Sequence, residues 1–378
     1  MKQKKLWMRV VITVCCLSWL TSCVENVDNP SGGSTGYSTA IFVASDRHET
    51  GNGNNLTAML AKAAAGSSTR PQTVLLGGDY VGGMKDMKPV FSINDLYDEI
   101  YAVVDPLNTR VMMTYGSHDV SCMEGYDAFY SGPRRCDGYY TYGISFAQMT
   151  FDTDSATVAA FRYYQEHPEE QDSPMPPPMP EEGDGTMPIP PEGNMPIQKG
   201  YNGIDLADRY GISAESGAQS FIQWVSTIAD HDPIVVMSHV PMHTNRGDNG
   251  GGLTWYKALA TAALTHDVIV LWGHNHTMEE MGKSIDLDNY LLTAGDSIDV
   301  QGDSITGVVR CPLNFTYANA GYLKLGYASV ITFTDTRRSG HYDTVELRRF
   351  SLNADDTDNQ FGLTGKQNPY VIELSRTE

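Results

Sequence analysis

Short uninterrupted apolar runs punctuate the chain. Thr39–Ala44, Thr73–Leu76, Arg110–Thr114, Ile234–Met237 and Val268–Leu271 each read as a buried strand, too short for a helix and bounded by Gly, Ser or Asp. Between them the period lengthens. Asn55–Ala65 is alanine-rich, Ile93–Val104 repeats its apolar residues at helical spacing, and Ala214–Ala229 does the same. Strands alternating with helices predict an α/β domain with a mainly parallel or mixed sheet. After about residue 285 the pattern changes. Tyr290–Thr293, Ala328–Phe333 and Tyr342–Phe350 are β-rich and joined by turns, which predicts a second sheet packed on the first. The stretch Phe315–Gly326 reads as a turn feeding a core strand, with Asn319 and its tyrosines as candidates for lining a pocket.

Two stretches stand outside this rhythm. Lys2, Lys4, Lys5 and Arg9 precede an apolar run, Val10–Leu20, which ends in Thr21-Ser22-Cys23. A basic start, a short greasy segment and a small-residue exit predict an export signal over residues 1–22. Leu20-Thr21-Ser22-Cys23 resembles a bacterial lipobox, which implies Cys23 as a lipidated N-terminus. Residues 23–37, rich in Asn, Ser and Gly, then form a flexible tether, and the folded domain runs over 38–378. Membrane attachment is expected through the lipid alone, on the cell envelope, periplasmic or surface-exposed. The second stretch, 166–199, runs in Pro, Met, Glu and Gly; it lacks donors and buriable surface and predicts an extended, solvated insertion.

Charge narrows the partners. Cutting after residue 22 removes four cations and no acid, shifting the formal net charge from −20 to −24. Such a surface disfavours a nucleic-acid duplex. A small phosphorylated substrate is still compatible, because bound metal ions supply the missing positive charge. Of six cysteines, Cys122, Cys136 and Cys311 remain beside Cys23 after processing. In an oxidising envelope Cys122 and Cys136 are placed to close a short loop, while three thiols cannot all pair within one chain.

The chemistry-bearing residues sit at the ends of the predicted strands. The first runs into Asp46-Arg47-His48, the second into Gly78-Asp79 and the third into Gly116-Ser117-His118-Asp119. Later strands lead into Ser238-His239 and Gly273-His274-Asn275-His276. Strand ends share an edge in α/β sheets, so segments distant in sequence converge there. Five of the ten histidines occupy these positions.

In order and spacing these residues resemble the calcineurin-like metallophosphoesterases, whose pattern is D-x-H, GD, GNH(D/E), H and GHxH. The resemblance spans Asp46 to His276 and implies a four-layer α/β/β/α sandwich of two mixed β-sheets flanked by helices. It implies two divalent ions, with Mn, Zn and Fe all suited to the ligands. Asp46, His48 and His276 would hold one, His239 and His274 the other, and Asp79 would bridge them. His118 would protonate the leaving group, with Asp119 orienting its ring. The implied reaction is hydrolysis of a phosphomonoester or phosphodiester by a dimetal-bridging hydroxide. One departure stands out: Ser117 occupies the position of a metal-binding asparagine and offers a shorter, weaker neutral ligand. It leaves open a catalytically weakened envelope lipoprotein that binds a phosphorylated or glycan ligand. A purple acid phosphatase centre is disfavoured, because its metal-bound tyrosine lies a few residues beyond the GD aspartate, whereas Tyr80 follows Asp79 immediately. Arg47 and His243 are candidate phosphate contacts, each with a salt bridge or local hydrogen bond as the competing role. Arg246–Gly252 reads as a glycine-rich loop.

Overall fold

The structure, a computed structural model, describes residues 37–48, 55–80, 91–104, 109–114, 123–124, 136–141, 143–149, 214–239, 241–243, 252–274, 291–301, 307–352 and 366–375. The expected leader, Cys23 and the tether up to residue 36 lie outside them, whereas Tyr37, the last residue of the expected tether, already belongs to the first strand. Ser117, His118, Asp119, Cys122, the 166–199 insertion, Arg246 to Gly251, Asn275 and His276 also lie outside them.

The chain begins with β1 (Tyr37–Ala44), α1 (Asn55–Gly66), β2 (Pro71–Leu76), a short β3 (Phe91–Ser92), α2 (Ile93–Tyr101) and β4 (Arg110–Met113). It continues with β5 (Met123–Glu124), β6 (Cys136–Thr141), β7 (Ile144–Met149), α3 (Ala214–Val225), β8 (Ile234–Ser238), α4 (Gly252–Ala262) and β9 (Val268–Trp272). The last part is β-rich: β10 (Leu291–Leu292), β11 (Ser297–Gln301), β12 (Val308–Pro312), β13 (Thr316–Asn319), β14 (Tyr327–Asp335), β15 (Thr344–Ser351) and β16 (Tyr370–Glu373).

Two six-stranded sheets result, in the orders β16-β15-β14-β1-β2-β4 and β10-β13-β9-β8-β7-β6. Each contains a parallel block. β1-β2-β4 forms one side of the first sheet, with the antiparallel β14, β15 and β16 beyond β1. β13-β9-β8-β7 forms the centre of the second, flanked by the antiparallel β10 and β6. Side chains alternate between the faces of a strand, so each central strand feeds two cores. Ile41, Val43 and Leu75 of the first sheet meet Val235, Met237, Ile269 and Leu271 of the second in a shared core between the sheets. The alternate residues Phe42, Val74 and Leu76 pack under Leu56, Met59 and Leu60 of α1 and Ile100 of α2. On the far side Val236, Val270 and Trp272 pack under Phe221 of α3 and Trp255 and Leu259 of α4. The layers are therefore α/β/β/α, and burial on both faces explains why these strands read as unbroken apolar runs. Each fully buried large side chain in these layers contributes on the order of 1.5–3 kcal/mol.

The apolar runs appear as strands and the three helical patterns as α1, α2 and α3, with α2 and α3 ending a turn early. The C-terminal strands correct one expectation. β14, β15 and β16 do not build a separate sheet but pair onto β1, while the second sheet is centred on β8 and β9. Period-two patterning decides which faces are buried and leaves the choice of neighbour to tertiary packing. Helix α4, absent from the sequence reading, begins at Gly252, the last residue of the expected glycine-rich loop, and carries Trp255, Ala258, Leu259 and Ala262 on its buried face.

Candidate metal centre

The strand ends that carry the motifs come from different sheets and meet at one end of the sandwich. β1 delivers Ser45 and Asp46, β2 delivers Gly77 to Asp79, β8 delivers His239, and β9 delivers Gly273 and His274. Main-chain bonds lace them together. Asp46 N donates to Gly78 O at 2.9 Å, His48 N to Asp79 O at 3.0 Å, and Gly273 N to His239 O at 2.9 Å. Two links cross between the sheets: His239 Nδ1 lies 2.7 Å from Gly77 O, and His274 N donates to Asp46 Oδ2 at 2.9 Å.

Close approach is possible because the crossing points are small. A Cβ on Gly273 would lie 2.0 Å from Ser45 Oγ and 2.7 Å from Asp46 Oδ2. A Cβ on Gly77 would lie 2.0 Å from Met237 Cε. Asp46, His48, Asp79 and His274 all adopt positive φ, at 55°, 42°, 53° and 66°. Left-handed backbone costs a non-glycine residue of order 1–3 kcal/mol, so four such residues together mark a strained, over-determined site.

The donor atoms form two groups. Asp46, His48 and Asp79 make one, and Asp79, His239 and His274 the other, with the ligand atoms of each within 4.8 Å of one another. Asp79 belongs to both. Its Oδ2 lies 3.6 Å from His48 Nε2 and 3.1 Å from His239 Nε2, and His48 Nε2 lies 3.7 Å from Asp46 Oδ1. Asp46, His48, Asp79 and His239 are buried, and His274 is partly exposed.

The protonation pattern at His239 tests whether this donor set suits a cation. A carbonyl only accepts, so His239 Nδ1 carries the proton given to Gly77, and in the neutral form of the ring Nε2 presents a lone pair. That lone pair faces Asp79 Oδ2 and, at 3.3 Å, His274 Nδ1. Acceptors aimed at one another need a proton or a metal ion among them. A carbonyl fixing the far nitrogen of an imidazole is the arrangement that holds a metal-ligating histidine in its tautomer. Imidazole with carboxylate suits borderline divalent ions, so these residues fit a metal.

Arg47 and His243 each make the local contact that competes with a phosphate role. Arg47 is buried between two donor residues and meets Glu99 on α2 through Nη2 at 2.6 Å from Oε1. His243 is buried with Nδ1 3.0 Å from the Tyr317 hydroxyl. The Tyr80 hydroxyl donates to the carbonyls of Leu76 and Thr114, tying the ends of β2 and β4.

Residues after β13 support the first donor loop in a way spacing does not reveal. Leu323 N and Lys324 N donate to the carbonyls of Ser45 and Asp46, and Ser45 N donates to Gly321 O. The Tyr322 ring meets His48 edge-on at 6.2 Å between centroids. The Asn55 amide donates to Leu323 O and Lys324 O, clamping this turn beneath α1. Asn319 is structural, its Oδ1 accepting Gly321 N at 2.9 Å.

A two-sheet sandwich whose joined strand ends gather two Asp/His donor groups defines a candidate metal-binding centre. The chain belongs to the calcineurin-like phosphoesterase family, whose model matches residues 39–278, well over half of it. No curated protein matches the sequence. Among solved structures it is similar to a purple acid phosphatase from seeds of yellow lupin (Lupinus luteus), at 9% identity and a TM-score of 0.40. That match covers 91% of this chain and 55% of the lupin chain, so this protein spans about half the length of that structure.

Proposed function

We propose that this protein is a dimetal phosphoesterase that hydrolyses a small phosphomonoester or phosphodiester outside the cytoplasm. The observation that carries this reading is the Asp79 carboxylate, shared by both donor groups. When bound, two divalent ions of the Mn, Zn or Fe type supply Lewis acidity toward phosphate oxygens and activate water.

The chain's own residues divide the remaining work. Asp46, His48 and His276 would hold one ion, and His239 and His274 would hold the other, with Ser117 as a weak neutral ligand. Asp79 keeps the two ions adjacent. His118 donates a proton to the leaving oxygen, and Asp119 orients its ring and favours the charged form. The motif order supports these roles for Ser117, His118, Asp119 and His276. Lipid on Cys23 would tether the domain to the envelope, where its acidic surface favours small phosphorylated substrates over polyanions.

The test is metal content together with turnover of p-nitrophenyl phosphate and bis-p-nitrophenyl phosphate, for wild type, Asp79→Ala and Ser117→Asn. Two metals per chain, with turnover falling by about 10³-fold or more in Asp79→Ala, is the expected result, since bound metal is worth several kcal/mol in the transition state. One metal or none and no turnover, with activity appearing only in Ser117→Asn, would replace the enzyme reading with that of a phosphate- or glycan-binding lipoprotein.

A further inference from the structure

His243 lies four residues beyond His239, in the segment that leaves β8. Its ring packs edge-on against two aromatic rings of the second sheet: Trp272 at 4.8 Å and Tyr317 at 5.7 Å between centroids. Trp272 is the last residue of β9, directly before Gly273-His274. Tyr317 lies on β13, the parallel neighbour of β9. His243 therefore touches the strand that carries one donor histidine while belonging to the segment that carries the other.

Hydrogen bonding fixes its state. The Tyr317 oxygen accepts the main-chain N–H of Met242 at 2.8 Å, and the main-chain N–H of His243 also bonds to it. An oxygen that takes two N–H donors turns its own hydrogen outward, and His243 Nδ1 stands 3.0 Å away to accept it. The ring is then neutral, with Nδ1 as acceptor and the proton on Nε2. Burial pushes its pKa down to about 4, which agrees with a ring that stays uncharged at neutral pH. His243 also bridges to Val300 of β11, pinning the segment from a third side.

We propose that His243 is a positioning residue: through the Tyr317 hydroxyl and the Trp272 ring it locks the 239–243 segment onto the end of β9, and so sets the 3.3 Å approach of His239 Nε2 to His274 Nδ1. This rests on the metal-centre reading and assigns His243 no contact with phosphate. Nothing in the D-x-H…GHxH pattern requires a histidine at this position; the assignment comes from packing.

The experiment measures Mn²⁺ affinity of the full chain by calorimetry, and kcat and KM with bis-p-nitrophenyl phosphate at saturating Mn²⁺. The proteins are wild type, Tyr317→Phe, His243→Leu and His243→Asn. Groups behind metal ligands typically change metal affinity by about 10–100-fold, so Tyr317→Phe and His243→Leu should weaken the second Mn²⁺ by that factor. His243→Asn, which keeps an acceptor near the Nδ1 position, should recover part of the loss, and KM at saturating Mn²⁺ should stay at the wild-type value. If His243→Leu does not fold, Tyr317→Phe, which preserves the ring packing, carries the test. Wild-type Mn²⁺ affinity in the variants, or an unchanged affinity with a raised KM, would overturn the positioning role. A wild-type chain that binds no metal would overturn the metal-centre reading, and this one with it.

Discussion

The main-chain N–H of His274 donates to Asp46 Oδ2 at 2.9 Å, joining residues 228 positions apart and drawn from different sheets. The bond orients the Asp46 carboxylate and holds His274 in its positive-φ conformation at once. It leaves Asp46 Oδ1 facing His48 and explains why the residue before His274 is glycine. The two sheets thus meet through a ligand pair rather than through the apolar core alone.

Replacing that glycine is expected to damage the site directly. In Gly273→Ala the new methyl would sit 2.0 Å from Ser45 Oγ and 2.7 Å from both Ser45 Cβ and Asp46 Oδ2, so a rotation of the serine hydroxyl alone does not make room for it. Overpacking of this kind costs about 1–3 kcal/mol. A lower denaturation midpoint together with weaker metal binding is the expected outcome. Wild-type metal affinity in the variant would show that the Asp46 carboxylate is not held by this approach.

The Arg47–Glu99 pair ties α2 to the donor loop, with side-chain exposures of 6% and 24%. Glu99→Ala leaves the buried guanidinium without this carboxylate. The expected cost is about 1–3 kcal/mol, below the ~3–5 kcal/mol of a fully buried pair because Glu99 retains some water contact. A double-mutant cycle with Arg47→Ala by urea denaturation measures the coupling; a coupling near zero would remove Arg47 from the list of restraints on Asp46 and His48.

Acid should destabilise the metal-free protein through His243. Its folded pKa of about 4 lies below the ordinary 6.5, so the unfolded chain binds the extra proton between those values. The contribution is present above pH 6.5 and is lost as pH falls toward 4, roughly 3 kcal/mol in all. Stability of wild type relative to His243→Asn, measured at pH 7 and pH 4 in chelator, should shrink by that order. A difference independent of pH would mean that His243 does not stay neutral in the fold.

The tether has its own check. Cys23→Ala should release the protein from the membrane fraction of fractionated cells, because the domain's only expected attachment is lipid at that cysteine. Among the described residues no helix is long and apolar enough to cross a membrane. Undiminished membrane association in the variant would count against lipidation there.

The sequence by itself determined the strands that matter and the donors at their ends. β1, β2, β8 and β9 are buried on both faces, so their side chains are apolar without interruption and the runs show plainly, with Asp46, Asp79, His239 and His274 at the first positions where the chain leaves the core. Helix α4 was missed, although its buried residues Trp255, Ala258, Leu259 and Ala262 fall at helical spacing. Only the tertiary structure decided that β14 pairs with β1 and that the motif strands divide between two sheets. Tyr322 beside His48, Glu99 beside Arg47 and Tyr317 beside His243 belong to the same class of fact. A side-chain pattern records how much of each face is buried, which is a local property. Partner and register are chosen by packing between segments hundreds of residues apart, and that free energy is written in no single stretch of the chain.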